Sequence, residues 1–286
     1  MGAVSGAVKP GRKAAAAGLA ALTVMFLLSL RGNRKLQVNE YTVHGVDIPE
    51  SFSGFRIAQI ADLHCAGYGA DIPGILSALE RSRPDIIVIT GDLVDSRRPD
   101  TDMAADFVKA AAAIAPVYFV SGNHEARQDF RTLRQLLTAA GGVALDDETR
   151  ILERDGARIL LRGLSDPDIS GEAAYLQTLG ELPAEEKLFT VLLAHRPEYF
   201  HAYAAAGMDL VLAGHAHGGQ FRLPGIGGLF APGQGFFPRY DGGIYREAST
   251  AMIVSRGLGD SVIPVRLGNP PELVIAVLMP GEASGA

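Results

Sequence analysis

The apolar residues of this chain fall into short runs, and most runs end on a polar residue. "FRIAQIAD" ends at Asp62, "PDIIVITGD" at Asp92, "PVYFVSGNH" at His124 and "ARILLRGLSD" at Asp166. "LFTVLLAH" ends at His195 and "MDLVLAGH" at His215, and "AMIVSRGLG" and "ELVIAVLMP" follow. The runs are leucine-rich or β-branched and bounded by Gly, Pro or Asp, the pattern of buried strands. Between them, residues 72–83 set Ile72, Ile75, Leu76 and Leu79 on one face, behind Asp71 as N-cap and with Pro73 in the first turn, and predict a helix. Residues 102–114 and 126–140 predict two more. Strands alternating with helices imply a layered α/β domain. Residues 218–250 break the alternation: rich in Gly, Pro and aromatics, they predict loops and hairpins.

Charge changes the picture at the N-terminus. The chain has 286 residues and a formal charge of −6, but residues 1–35 hold six basic side chains and no acidic one. The body after residue 35 is left with 20 basic against 32 acidic residues. Such a body lacks the basic face that nucleic-acid binding needs, so no nucleic-acid partner is expected. The single cysteine, Cys65, rules out an internal disulfide. Residues 14–30, "AAAAGLAALTVMFLLSL", are uncharged and lie between basic clusters, at the short end of what spans a bilayer. A cleaved signal is the competing reading, but the following "LSLRGNRK" offers no small-residue cleavage site. The expectation is a single-pass anchor in the cell membrane within residues 1–35, followed by one domain over residues 36–286. Three basic side chains flank each side, so charge does not decide which way the domain faces.

Candidate chemistry collects where the runs end. Asp62 and His64 follow the first, Asp92 the second, Asn123 and His124 the third, His195 a later one, and His215 and His217 the next. Ligands of open α/β sheets bind outside the carboxyl ends of the strands. Oxygen and imidazole donors suit borderline or hard divalent cations. Extended backbone points residues i and i+2 the same way, so Asp62 with His64, and His215 with His217, are expected to face one ion each. Any one of these residues has an ordinary use: an Asp after a strand caps a turn, and His44 and His201 read as plain surface or core histidines. The ordered set has no such explanation. Cys65 is expected to turn away from the ligands. Asp95 reads as a cap or an acceptor behind a ligand, and Arg196 and Arg256 as members of surface ion pairs.

The series "DLH", "GDLVD", "GNHE", "AH" and "GHAH" resembles the calcineurin-like metallophosphoesterases over about residues 54–280. "GHAHGGQF" and "VSRGLGDSVIPVRLGNPPEL" resemble a bacterial, membrane-associated or exported phosphodiesterase-type subgroup. The resemblance implies an α/β fold in which two mixed β-sheets pack as a sandwich flanked by helices, with two metals at the sheet edge. It implies that Asp62, His64 and His217 hold one metal, that Asn123, His195 and His215 hold the other, and that Asp92 bridges them. His124 would be catalytic, stabilising the transition state or protonating the leaving oxygen. The expected reaction is hydrolysis of a phosphodiester or related bond by hydroxide formed between two Mn²⁺, Fe²⁺ or Zn²⁺ ions, near a membrane and with a lipid-linked substrate in view. "GDLVDSRRP" lacks the Arg-Gly that follows this motif in Ser/Thr protein phosphatases, which argues against that branch. A UDP-2,3-diacylglucosamine-type pyrophosphate hydrolase is the alternative. A non-catalytic scaffold is disfavoured because every donor is present.

Overall fold

The computed structural model describes residues 17–20, 23, 24, 27, 35–65, 71–181, 187–223, 225–259 and 266–281. In chain order its strands and helices begin with β1 (Gln37–Gly45), β2 (Phe55–Ile60), α1 (Ile72–Ser82), β3 (Ile86–Thr90), α2 (Thr101–Ala112) and β4 (Val117–Val120). Next come α3 (Asn123–Ala126), α4 (Phe130–Ala139), β5 (Gly142–Ala144), β6 (Thr149–Arg154), β7 (Ala157–Gly163), α5 (Pro167–Ser170) and α6 (Glu172–Gly180). The second half holds β8 (Thr190–Leu193), α7 (Phe200–Ala205), β9 (Leu210–Ala213), β10 (Arg222–Leu223), β11 (Gly227–Gly228), β12 (Phe230–Ala231) and β13 (Gly235–Phe236). It closes with β14 (Gly243–Glu247), β15 (Thr250–Val254) and β16 (Glu272–Pro280).

Two six-stranded mixed sheets form, in the orders β1-β16-β2-β3-β4-β5 and β14-β15-β9-β8-β7-β6. Their strands are apolar along both faces because both faces are covered. In β3, Ile87 and Ile89 pack toward α1 and α2, while Ile86 and Val88 pack toward the other sheet. In β9, Leu210 and Leu212 face the first sheet, and Val211 and Ala213 face the layer holding α6 and α7. Period-2 alternation thus divides each run between two cores, and the layers stack helix, sheet, sheet, helix. The expected sandwich of two mixed sheets flanked by helices is what forms.

Two expectations shift. The helix over 126–140 is interrupted: α3 ends at Ala126, and α4 starts afresh behind Asp129, whose carboxylate accepts from the backbone N–H of Thr132 at 3.2 Å. A new N-cap is stronger punctuation than the continuing apolar stripe. The expected anchor over residues 14–30 falls largely outside the described residues, and those described within it are helical. Among the described residues, no helix is long and apolar enough to cross a membrane.

What positions the site is strand direction. β2, β3, β4 and β5 run parallel, as do β7, β8, β9 and β15. Their carboxyl ends therefore reach one edge of the sandwich. Buried Gln59 ties the sheets together just below that edge, donating through Nε2 to Thr90 Oγ1 at 3.0 Å and to the carbonyl of Ala213 at 2.9 Å.

Candidate metal centre

Asp62, Asp92, His195 and His215 each stand two residues beyond the end of β2, β3, β8 and β9, and Asn123 stands three beyond β4. All are buried, as are His64 and His217. Strand pairing continues briefly past the sheets, with Asp62 N–H donating to Gly91 O at 3.1 Å, His64 N–H to Asp92 O at 3.0 Å and Gly214 N–H to His195 O at 3.1 Å. The turns are then sharp. Asp62, His64, Asp92, His215 and His217 all have φ between 47° and 66°, the left-handed region. For a residue with a Cβ that conformation costs roughly 1–2 kcal/mol. Five such residues in one place mark a site whose geometry is imposed by the surrounding fold.

The turns bring the donors into two groups. Asp62, His64, Asp92 and His217 each offer an atom within 4.8 Å of the others, and so do Asp92, His195 and His215. Asp92 belongs to both. In the first group His64 Nε2 lies 3.1 Å from His217 Nε2, and His217 Nε2 lies 3.5 Å from Asp62 Oδ1. In the second, His195 Nε2 lies 3.1 Å from His215 Nδ1, 3.3 Å from Asp92 Oδ2 and 3.3 Å from Asn123 Oδ1. Asp62 with His64 share a group as expected. His215 and His217 do not: the chain turns at both, and they serve different groups. The extended spacing assumed for that pair is absent, because Ala216 is helical and a 3₁₀ turn starts at His217.

Hydrogen bonds aim the donors. His195 Nδ1 lies 2.9 Å from the carbonyl of Thr90, which fixes a ring proton there and aims Nε2 at Asp92. Asp62 accepts the backbone N–H of His215 on both oxygens, at 3.1 and 3.0 Å. Two glycines allow the closeness. A Cβ on Gly122 would fall 2.4 Å from Asp92 Oδ1, and one on Gly91 would fall 2.6 Å from His195 Nδ1. Glu125 escaped the sequence reading. Its buried carboxylate accepts from the N–H groups of Asp92 at 2.8 Å, Gly122 at 2.7 Å and Val94 at 3.1 Å, and so clamps the "GDLVD" loop to the "GNHE" turn. The signal lay in "GNHE", where a Glu three residues after a helix N-cap reaches back to it.

The electrostatics suit cations. Burial pushes His64 down to about 4. Burial, helped by His195 and Arg196, holds His215 well below the usual imidazole range, and burial with His64 and Arg266 does the same for His217. These three rings are neutral and present lone pairs. Burial opposes a charge on His195 too, but the carboxylates of Asp92, Asp62 and Asp166 outweigh it and raise this ring to about 10. Burial also raises Asp62, with Asp92 adding to it. Asp92 would be raised by burial alone, but the charge and hydrogen bond of His195 pull it well below the carboxylate range. Seven buried N and O donors in two groups about one shared carboxylate fit two divalent cations. Cys65 is buried in the apolar layer, its thiol pushed up to about 12 by burial, and belongs to neither group.

Loading this centre is expected to release about one proton per chain near pH 7.5, most of it from His195. Asp62 must give up the proton that burial favours, and His195 the proton that Asp92 favours. The empty site thus holds more protons than the loaded one, so affinity rises as pH rises through neutrality. Calorimetric titration with Mn²⁺ in two buffers of different ionisation enthalpy measures the release; equal apparent enthalpies would contradict it.

His124 stands beside the groups. Its backbone N–H donates to Asp92 Oδ1 at 2.8 Å, and its ring Nδ1 accepts from the backbone N–H of Ser96 at 2.9 Å. The ring proton therefore sits on Nε2, which lies 4.0 Å from Asp92 Oδ2. Asp95 is turned to Arg97, whose Nε it accepts at 2.9 Å, and stands 3.7 Å from His124 Nδ1. Arg196 is no surface residue: it makes a two-pronged pair with buried Asp166, at 2.7 and 2.9 Å, and its Nη1 lies 3.3 Å from His215 Nε2. Arg256 pairs with Glu272 at 3.2 Å. His201 is exposed against Glu247. Above the donors opens a cavity of about 370 Å³ lined by His64, Asp92, Asn123, His124, His215 and His217, with Arg97, Arg127 and Arg196 on its walls.

A sandwich that gathers paired cation sites at one edge, under a pocket walled by arginines, defines a metal-dependent hydrolase of phosphate esters. The profile of the calcineurin-like phosphoesterases matches residues 55–219, and the chain belongs to that family, which works with two divalent metals. It is 31% identical over 251 residues to the uncharacterized metallophosphoesterase YkuE of Bacillus subtilis (strain 168), covering 85% of each chain. It is 27% identical over 235 residues to the phosphodiesterase YaeI of Escherichia coli (strain K12), covering 79% of this chain and 82% of that one. Among solved structures, NAD nucleotidase (NadN) of Haemophilus influenzae shares the fold with a TM-score of 0.52 at 15% identity, over 72% of this chain and 46% of that one.

Proposed function

We propose that this enzyme hydrolyses phosphodiesters beside a membrane, to which residues 14–30 anchor the domain that follows residue 35. Asp62, His64 and His217 would hold one cation and Asn123, His195 and His215 the other, with Asp92 in reach of both. The observation that carries the reading is Asp92: one buried carboxylate within ligand distance of both donor groups. Bound there, the two cations would neutralise phosphoryl oxygens and acidify a water molecule. The chain's own residues do the rest. His124 presents Nε2–H toward the cavity and serves the departing oxygen. Arg97, Arg127 and Arg196 line the walls where the phosphate's remaining oxygens lie, and Asp166 keeps Arg196 rigid. The anchor is supported by the sequence of residues 14–30, and by Leu19, Val24 and Leu27, helical residues whose apolar side chains are exposed.

The test is purified full-length protein in detergent with Mn²⁺, assayed on bis(p-nitrophenyl) phosphate and on p-nitrophenyl phosphate. Diester turnover should exceed monoester turnover at least about tenfold and vanish with chelator. Equal rates, or a preference for the monoester, would reject the diesterase assignment.

A further inference from the structure

The first strand of the domain starts at the same end of the molecule as the catalytic cavity. β16 runs antiparallel to β2, so it starts at the edge where β2 ends. β1 runs parallel to β16, with Gln37 opposite Glu272, so β1 also starts at that edge. Glu272 N–H donates to Gly257 O at 3.1 Å, and a Cβ on Gly257 would lie 2.8 Å from Asp62 Cβ. The chain thus enters the domain beside the metal centre. Gln37 follows Leu30 by seven positions. Fully extended, that span reaches about 25 Å, short of the roughly 30 Å length of a nine-residue strand such as β1. An anchor on that tether holds the catalytic edge toward the bilayer and not the opposite one.

That edge carries an exposed aromatic hairpin. β12 and β13 pair Phe230 with Phe236, their ring centroids 5.4 Å apart, and Phe237 follows. Phe230, Phe236 and Phe237 are 46%, 77% and 68% exposed, and nearby Ile226 is 61% exposed. The turn between the two strands contributes Pro232 and Gly233 to the wall of the catalytic cavity. Phe237 holds its ring out from a left-handed backbone, φ 55°. Charge does not oppose this: residues 221–240 contain Arg222 and Arg239 and no acidic residue, within a body that is strongly acidic overall, although Arg222 is paired with Asp241 at 3.1 Å. Exposed phenylalanines with Arg239 beside them suit the interfacial layer of a membrane with some anionic lipid.

We propose that the β12–β13 hairpin docks into a lipid bilayer, with Phe230, Phe236 and Phe237 in its interfacial layer, so that the catalytic cavity opens onto the headgroups. The substrate is then the phosphodiester of a bilayer lipid or lipid-linked molecule. This rests on the anchored-phosphodiesterase reading and adds the orientation and the contact surface.

The chain contains no tryptophan, so an introduced one is the sole indole reporter. Full-length Phe236→Trp is reconstituted into phosphatidylcholine–phosphatidylglycerol vesicles, with or without bromine on the acyl chains. Ile151→Trp, on β6 at the far edge of the second sheet, is the control. The expected result is a blue-shifted emission from the Phe236→Trp protein, quenched at least about twofold by shallow bromines, with the Ile151→Trp protein unaffected. Phe236→Ser/Phe237→Ser should lower turnover of a vesicle-embedded diester on the order of tenfold and leave soluble-diester turnover unchanged. Emission typical of water from Phe236→Trp in the vesicles would overturn the proposal. So would equal quenching of the two reporter proteins, or a blue shift that follows protein concentration without lipid, which would mean contact between copies. Flotation with the vesicles reads the anchor separately, and soluble-diester turnover reads the chemistry separately. A chain that does not float overturns the docking along with the anchor. A chain that floats and turns over while the indole at position 236 stays in water overturns the docking alone.

Discussion

Asp92→Ala is expected to abolish turnover and to cut the metal content of the protein from two ions to less than one. Removing a single electrostatic contributor from an active site typically costs about 10²–10³-fold. Asp92 is within reach of both cation groups, so its loss should exceed that range. The change also removes the acceptor for the His124 N–H and the carboxylate that holds a proton on His195. The fold should survive. The main-chain clamp from Glu125 to residues 92, 94 and 122 does not use the Asp92 side chain. Alanine must occupy a left-handed backbone at φ 52°, at a cost of about 1–2 kcal/mol. Elemental analysis, turnover and circular dichroism on one preparation decide the matter. Two metals in an active Asp92→Ala protein would refute the shared-ligand assignment.

His124→Ala should behave differently. Its ring belongs to neither of the two groups centred on Asp92, so metal content should stay at two. Turnover should fall about 10²–10⁴-fold on a diester with an alkyl leaving group, the usual worth of acid–base help. Diesters that release nitrophenolate need little protonation, and for them the loss should shrink to about tenfold or less. His124→Gln is a useful companion, since it restores an N–H donor without an ionisable ring. The measurement is turnover against leaving-group pKa for the three proteins. A uniform loss across leaving groups would assign the His124 ring to positioning the phosphate.

The donors were legible in the sequence because the site is built from strand ends, and each strand end is visible as the stop of an apolar run. Asp62, Asp92, His195 and His215 could be located that way without any knowledge of pairing. Which cation each would serve was not legible from spacing. His215 and His217 lie two apart, as extended chain would have them, but the helical Ala216 between them and the 3₁₀ turn that starts at His217 send their rings to different groups. The same limit hid Arg196. Its sequence neighbourhood reads as surface, and only the packing of β7 against β8 sets Asp166 beneath it. The contact of β1 with β16 joins residues more than 200 positions apart, beyond any local periodicity. Yet that pairing decides which end of the sandwich the N-terminal segment enters.

The five left-handed donors also bear on how such a protein drifts over generations. At each of them asparagine or glycine would relax the main chain, and at Asp62 and Asp92 it would remove a buried carboxylate as well. At His64, His215 and His217 the substitutions that erase the chemistry are therefore ones that relax the main chain. A lineage freed from the need for catalysis would lose these positions early, by mutations that make the protein hardier. All five stand in this chain at roughly 1–2 kcal/mol of main-chain strain each, against which Asp62 and Asp92 return the hydrogen bonds they accept from the backbone N–H groups of His215 and His124.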